Sequence, residues 1–114
     1  MEAPMAEILV LSAHIRIDFA LDGVWRGRRF IPLPARTWAI LAYLARHPNT
    51  VIANDQLLAV GWPGEPHVPD DLGRHIHRIR QAVEPHPHHP QRVLTYRTVG
   101  YCLRIPSTQA PFVS

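Results

Sequence analysis

Apolar residues recur at Leu72, Ile76, Ile79 and Val83, the i, i+4, i+7, i+11 spacing of one helical stripe. Wound at about 3.6 residues per turn, the same segment puts Asp70, Arg74, His77, Arg78 and Gln81 on the opposite side. His75 and Arg80 flank the stripe. The spacing predicts a helix from Pro69 to Val83, stopped by Glu84-Pro85. Its oily back anchors to a core, and its Arg/His/Gln front meets water or a polyanion. Gly73 weakens the helix by about 1 kcal/mol relative to Ala. On the outer side it would let a ligand backbone come close.

The pattern before this helix has period two. Glu7–Leu11 and His14–Phe19 read as strands, the second alternating apolar and polar positions. After the turn signal Leu21-Asp22-Gly23, residues 24–26 and 28–31 pair as a hairpin around Gly27. Period 3.6 then takes over. Pro34 and Ala35 open a helix to Arg46, with Trp38, Leu41, Ala42 and Ala45 on its apolar side, widened by Ile40 and Leu44. His47-Pro48-Asn49 stops it. Val51-Ile52 reads as an extended link. A second helix begins at Ala53 or Asn54, with Asn54 the better N-cap by chemistry, and ends near Gly61. The proline-rich loop 62–69 cannot continue it. Beyond the central helix, Arg92–Tyr96 and Tyr101–Ile105 read as strands joined by Arg97-Thr98-Val99-Gly100.

These elements predict an α+β fold in one domain: an N-terminal antiparallel sheet (7–32), three helices (33–85) and a C-terminal hairpin (92–105). Tails are expected at 1–6 and 106–114. Two helices joined by a loop, the second with a basic front, form a helix-turn-helix; the hairpin after it makes a winged helix.

Charge sharpens this picture. Residues 72–114 hold six Arg against Glu84 alone, a net +5, whereas residues 1–71 hold six Arg against eight acids, a net −2. A basic half beside a mildly acidic one suggests a directed polyanion-binding surface. All twelve basic residues are Arg. Arg suits bidentate contacts to phosphate and guanine, although a GC-rich genome would favour Arg as well. No run of about eighteen apolar residues occurs, so no membrane span is expected. Met1–Glu7 lacks the pattern of a secretory signal. Cys102 is the one cysteine, which suits a buried thiol in the reducing cytoplasm.

The matching stretches are Leu33 with Trp38–Pro48, Gln56-Leu57-Leu58, Trp62, His75–Pro85 and Thr95–Tyr101. In register, they make residues 8–105 resemble the winged-helix effector domain of OmpR/PhoB-type response regulators. The resemblance implies a transcription regulator that binds double-stranded DNA, the third helix in the major groove and the wing in the adjacent minor groove. It implies recognition-helix contacts by Arg74, His75, His77, Arg78 and Arg80, and wing contacts by Thr95 and Arg97. Gln81 joins this set from the helix front. It further implies RNA polymerase as a partner of loop 62–69, which Trp62 begins, and binding as a homodimer or in tandem. Four positions depart from the family pattern. Asp70 stands where several relatives carry a DNA-contacting Arg, and His77 where Arg is common. Ala53 replaces the usual Ser or Thr cap, and the wing lacks its first glycine. No receiver segment is read in these 114 residues.

Other chemistry is sparse. His86, His88 and His89 invite a metal reading, but prolines interleave them and no Cys, Asp or Glu nearby completes a set, so an exposed loop is expected. No cofactor motif and no paired-carboxylate or nucleophile context occurs, so no enzyme is expected. A histidine on the helix front, His77, predicts tighter duplex binding near pH 6 than near pH 8. The competing reading from another class is a winged helix used for protein interaction, within a larger regulator. Asp70 and Asp71 favour that reading, although acids also stabilise a helix N-terminus.

Overall fold

The computed structural model describes residues 8–66, 69–106 and 112–113. Four short strands form a meander: β1 (Ile8–Val10), β2 (Ile15–Asp18), β3 (Gly23–Arg26) and β4 (Arg29–Pro32). Helix α1 (Ala35–Arg46) follows. Strand β5 (Ile52–Ala53) leads directly into α2 (Asn54–Gly61), and α3 spans Pro69–Val83. The wing pairs β6 (Val93–Tyr96) with β7 (Gly100–Leu103), and β8 (Phe112–Val113) closes the order. The elements read from period and turn chemistry are present, with strand ends shifted by a residue or two.

Alternation in the meander gives it two faces. Leu9, Ile17 and Val24 lie on the inner face and are completely buried. They meet Ile40, Leu41 and Leu44 of α1 and Ile76, Ile79 and Val83 of α3 in one apolar cluster. The stripe predicted for α3 is buried at all four positions. The α1 stripe is rotated from its expected centre. Thr37, Ile40, Leu41, Leu44 and Ala45 are buried, whereas Trp38 and Ala42 are half-buried. The physical reason is that α1 is packed by both other helices and by β7, so its deepest line faces their junction.

Three readings are corrected. The extended link at 51–52 is a strand: β5 pairs with β7, making a three-stranded sheet in the order β5-β7-β6. Ala53, not Asn54, is the N-cap of α2, and no side chain caps it. The Asn54 backbone N–H donates to Val99 O at 2.9 Å, which fixes this residue inside the helix start, and its buried Oδ1 has no hydrogen-bond partner among the described residues. The expected C-terminal tail contributes β8, which extends the first sheet along β1 in the order β4-β3-β2-β1-β8. The rest of the 106–114 tail after Pro106, and the N-terminal tail 1–6, lie outside the described residues.

Candidate nucleic-acid interface

The front of α3 carries Gly73, Arg74, His77, Arg78 and Gln81, all exposed. Arg74 Nη2 donates to Asp71 Oδ1 at 2.7 Å, so part of its charge is answered within its own turn. Arg78 is a guanidinium with no hydrogen-bond or ion-pair partner among the described residues. It borders a shallow groove of about 260 Å³, lined by Ile31, Pro32, Leu33 and Pro34 on one side and Arg78, Gln81 and Ala82 on the other.

Two of the expected contact residues are turned to internal tasks. Arg80 Nε and Nη2 donate to Val93 O at 3.1 and 2.8 Å, and Nη2 also donates to Thr95 Oγ1 at 2.8 Å. One side chain therefore ties the recognition helix to the first wing strand, and it occupies Thr95. The wing tip remains open, with Arg97, Thr98 and Val99 exposed. Thr98 holds φ at 62°, a left-handed conformation that suits glycine better, at the tip where the family's first wing glycine is missing.

His75 faces the other way. Its Nδ1 lies 2.7 Å from Thr37 Oγ1, and its ring meets the edge of Trp62 at 5.4 Å. Burial lowers its pKa from the usual histidine value, helped by Arg78, Arg36 and Arg74, with Asp71 opposing. Between the lowered folded pKa and the ordinary unfolded one near 6.5, the unfolded chain binds more protons. Stability is therefore complete above the unfolded value and is lost as pH falls below it. The midpoint of thermal unfolding is expected to fall from pH 7.5 to pH 5.5 by less in His75→Asn than in the wild type. Equal falls would remove His75 from the acid response.

Trp62 is buried, not displayed on the loop it begins. Arg36 stacks over it at 4.8 Å, donates Nε–H to Gly61 O at 2.7 Å and pairs with Glu65 at 3.1 Å. The end of α2 is thus fastened to α1, and Pro63–Pro66 are left exposed. His86, His88 and His89 lie exposed on the loop between α3 and β6. Cys102 is buried, and burial raises its thiol pKa despite Arg104.

Sequence reasoning missed the fastening of the C-terminal end of α3. Arg26 Nη1 donates to the carbonyls of Ala82 and Glu84, both at 2.9 Å. Glu84, which reads only as part of a helix stop, is completely buried. Its carboxylate accepts from the backbone N–H groups of Gln91, Arg92 and Val93 at 2.7–3.1 Å. The signal available in the sequence was that Glu84 is the one acid of a basic half.

A meander, a three-helix core with a helix-turn-helix, an exposed cationic helix front and a hairpin braced against it define a winged-helix domain. The chain belongs to the family described as "Transcriptional regulatory protein, C terminal", which it matches over residues 27–103, and thus to the OmpR/PhoB-type effector domains. It is 38% identical over 98 residues to the "DNA-binding response regulator MtrA" of Mycolicibacterium smegmatis, covering 84% of this chain and 42% of that protein. The response regulator DrrB of Thermotoga maritima, an OmpR/PhoB homologue, superposes with a TM-score of 0.74 at 30% identity, over 84% of this chain and 44% of that one. The DNA-binding domain of the response regulator AdeR, solved in complex with an intercistronic region, is alike in fold, with a TM-score of 0.65 at 21% identity over 84% of this chain and 98% of that one. The chain spans less than half the length of the curated relatives it matches most strongly. No helix among the described residues is long and apolar enough to cross a membrane.

Proposed function

We propose that this domain binds double-stranded DNA in a sequence-specific manner and regulates transcription in the cytoplasm, by binding and not by catalysis. Helix α3 enters the major groove and the β6–β7 wing reaches the adjacent minor groove. The carrying observation is Arg78, exposed at the centre of the α3 front and without a partner among the described residues, with the wing held beside that helix by Arg80. Arg78 reads bases directly, since a bidentate Arg–guanine contact gives about 1–3 kcal/mol of discrimination. Arg97 meets phosphate or the minor groove and adds affinity without sequence information. His77 and Gln81 line the same front, and Arg74 lies at its N-terminal end. Arg80, Thr95 and His75 position the helix and wing.

The exposed part of loop 62–69 is the surface offered to RNA polymerase, and two copies bind adjacent sites as a dimer or in tandem. Of the two acids that favour the protein-interaction reading, Asp71 is engaged with Arg74 within its own turn.

Selection of bound sequences from a random duplex pool, at two salt concentrations, tests the proposal. A recovered consensus with affinity that falls steeply with salt is expected. Arg78→Ala is expected to flatten preference at one base position by about 10- to 100-fold, whereas Arg97→Ala weakens all duplexes evenly. Recovery of no enriched sequence, or unchanged binding by both variants, would remove the DNA-reading role.

A further inference from the structure

We propose that the β3–β4 turn is a third DNA contact, a phosphate clamp at the C-terminal end of the recognition helix, made by Arg28 and Arg29. The inference rests on the DNA-binding reading above and extends it to a part of the fold outside the helix-turn-helix and the wing.

Three observations carry it. First, Arg28 and Arg29 are both exposed, and neither has a hydrogen-bond, ion-pair or ring partner among the described residues. Most other guanidiniums of the N-terminal half are engaged: Arg16 over Trp25, Arg26 on α3 carbonyls, Arg36 on Glu65 and Trp62, Arg46 over Phe19. Two adjacent cations left free on one tight turn are a point of strong positive potential.

Second, the turn is fixed in place relative to α3. Arg26 pairs with Arg29 across the hairpin, and Arg26 is bonded to the carbonyls of Ala82 and Glu84. The turn therefore moves with the helix end. Gly27, at φ 62°, closes the turn and donates its N–H to His14 O, which ties it to the β1–β2 loop as well.

Third, the turn lies on the correct flank. Strand alternation puts Arg29 on the same sheet face as Ile31 and Arg26, which is the face α3 covers. Strand β4 is an edge strand, and its exit at Ile31–Pro34 borders the groove shared with Arg78 and Gln81. Arg29 thus continues the line of the α3 front beyond its C-terminal end. A helix of this length spans about 22 Å, at about 1.5 Å per residue. The major groove is about 12 Å wide, so a helix of that length crossing it obliquely brings one end to the phosphate ridge. The Glu84 carboxylate at this end of α3 is buried and engaged with three backbone N–H groups, so it presents no exposed negative charge there.

The test compares the wild type with R28Q/R29Q on a 30-base-pair duplex carrying the selected sequence and on an unrelated duplex of equal length. Both side chains are exposed, so thermal unfolding is expected to be unchanged. Loss of two phosphate contacts makes the slope of log affinity against log salt shallower by about 1.8. The deficit of the variant then shrinks about tenfold between about 50 and 200 mM salt. Sequence preference stays as in the wild type, unlike that of Arg78→Ala. A variant with the wild-type salt slope overturns the clamp alone, leaving the helix and wing reading intact. A wild type that binds neither duplex overturns both.

Discussion

Replacing Glu84 by alanine is expected to destabilise the domain by about 3–5 kcal/mol, the range for breaking a buried charged network. For a domain of this size that corresponds to a fall in unfolding midpoint of about 10–20 °C. The carboxylate is completely buried and serves the backbone N–H groups of Gln91, Arg92 and Val93. Without it those donors have no acceptor, and each unsatisfied buried group costs about 1–3 kcal/mol. The Arg92 guanidinium adds to the loss. Burial already pushes its pKa down, and the charge of Glu84 is what opposes this. Glu84→Gln, which keeps the volume and one oxygen, should fall between the wild type and the alanine variant. Thermal unfolding followed by circular dichroism reads the series; an alanine variant within about two degrees of wild type would show that Glu84 does not hold this loop. Because Val93 opens β6, the same variant is also expected to loosen the wing.

Gly100→Ala is expected to cost about 3 kcal/mol, the upper end of the usual overpacking range. An added Cβ would lie 1.8 Å from Ile52 O and 2.7 Å from Ile52 C, both backbone atoms that no rotamer change can clear. Strand β5 must move off β7, and the bond from Asn54 N–H to Val99 O is lost with it. That contact connects the wing to the start of α2, so duplex affinity should fall together with stability. Gly73→Ala is the matched control. Nothing lies within 4 Å of its added Cβ, and it stands inside a helix, so a gain of about 1 kcal/mol is expected. Chemical denaturation of both variants checks the pair. Equal stability of Gly100→Ala and wild type would mean that β5 and β7 do not approach as closely as described.

The legibility of the candidate site was uneven, and the reason is visible residue by residue. Arg78, His77 and Gln81 were found because helical period alone puts them opposite the stripe Leu72-Ile76-Ile79-Val83, and all three are exposed. Arg80 and His75 sit at the stripe's edges, where period does not decide between solvent and protein. The decision fell to residues far along the chain: Val93 and Thr95 for Arg80, Thr37 and Trp62 for His75. Arg28 and Arg29 read from the chain as one flank of a hairpin. Only the bonds of Arg26 to the end of α3, 56 and 58 residues away, bring them beside the recognition helix.

The sequence by itself determined the three helices, the meander and the wing hairpin in their order, the helical stripe that anchors α3 and the cationic character of its opposite side. These are properties of local period, turn chemistry and residue type, which the chain carries without knowing its partners. Tertiary structure alone decided which guanidiniums lack a partner among the described residues, that residues 52–53 and 112–113 are strands, and that the buried Glu84 carboxylate organises the loop between α3 and β6. Each of those depends on hydrogen-bond partners that pairing across the fold supplies, and spacing along a chain reports the face a residue occupies without naming what meets it.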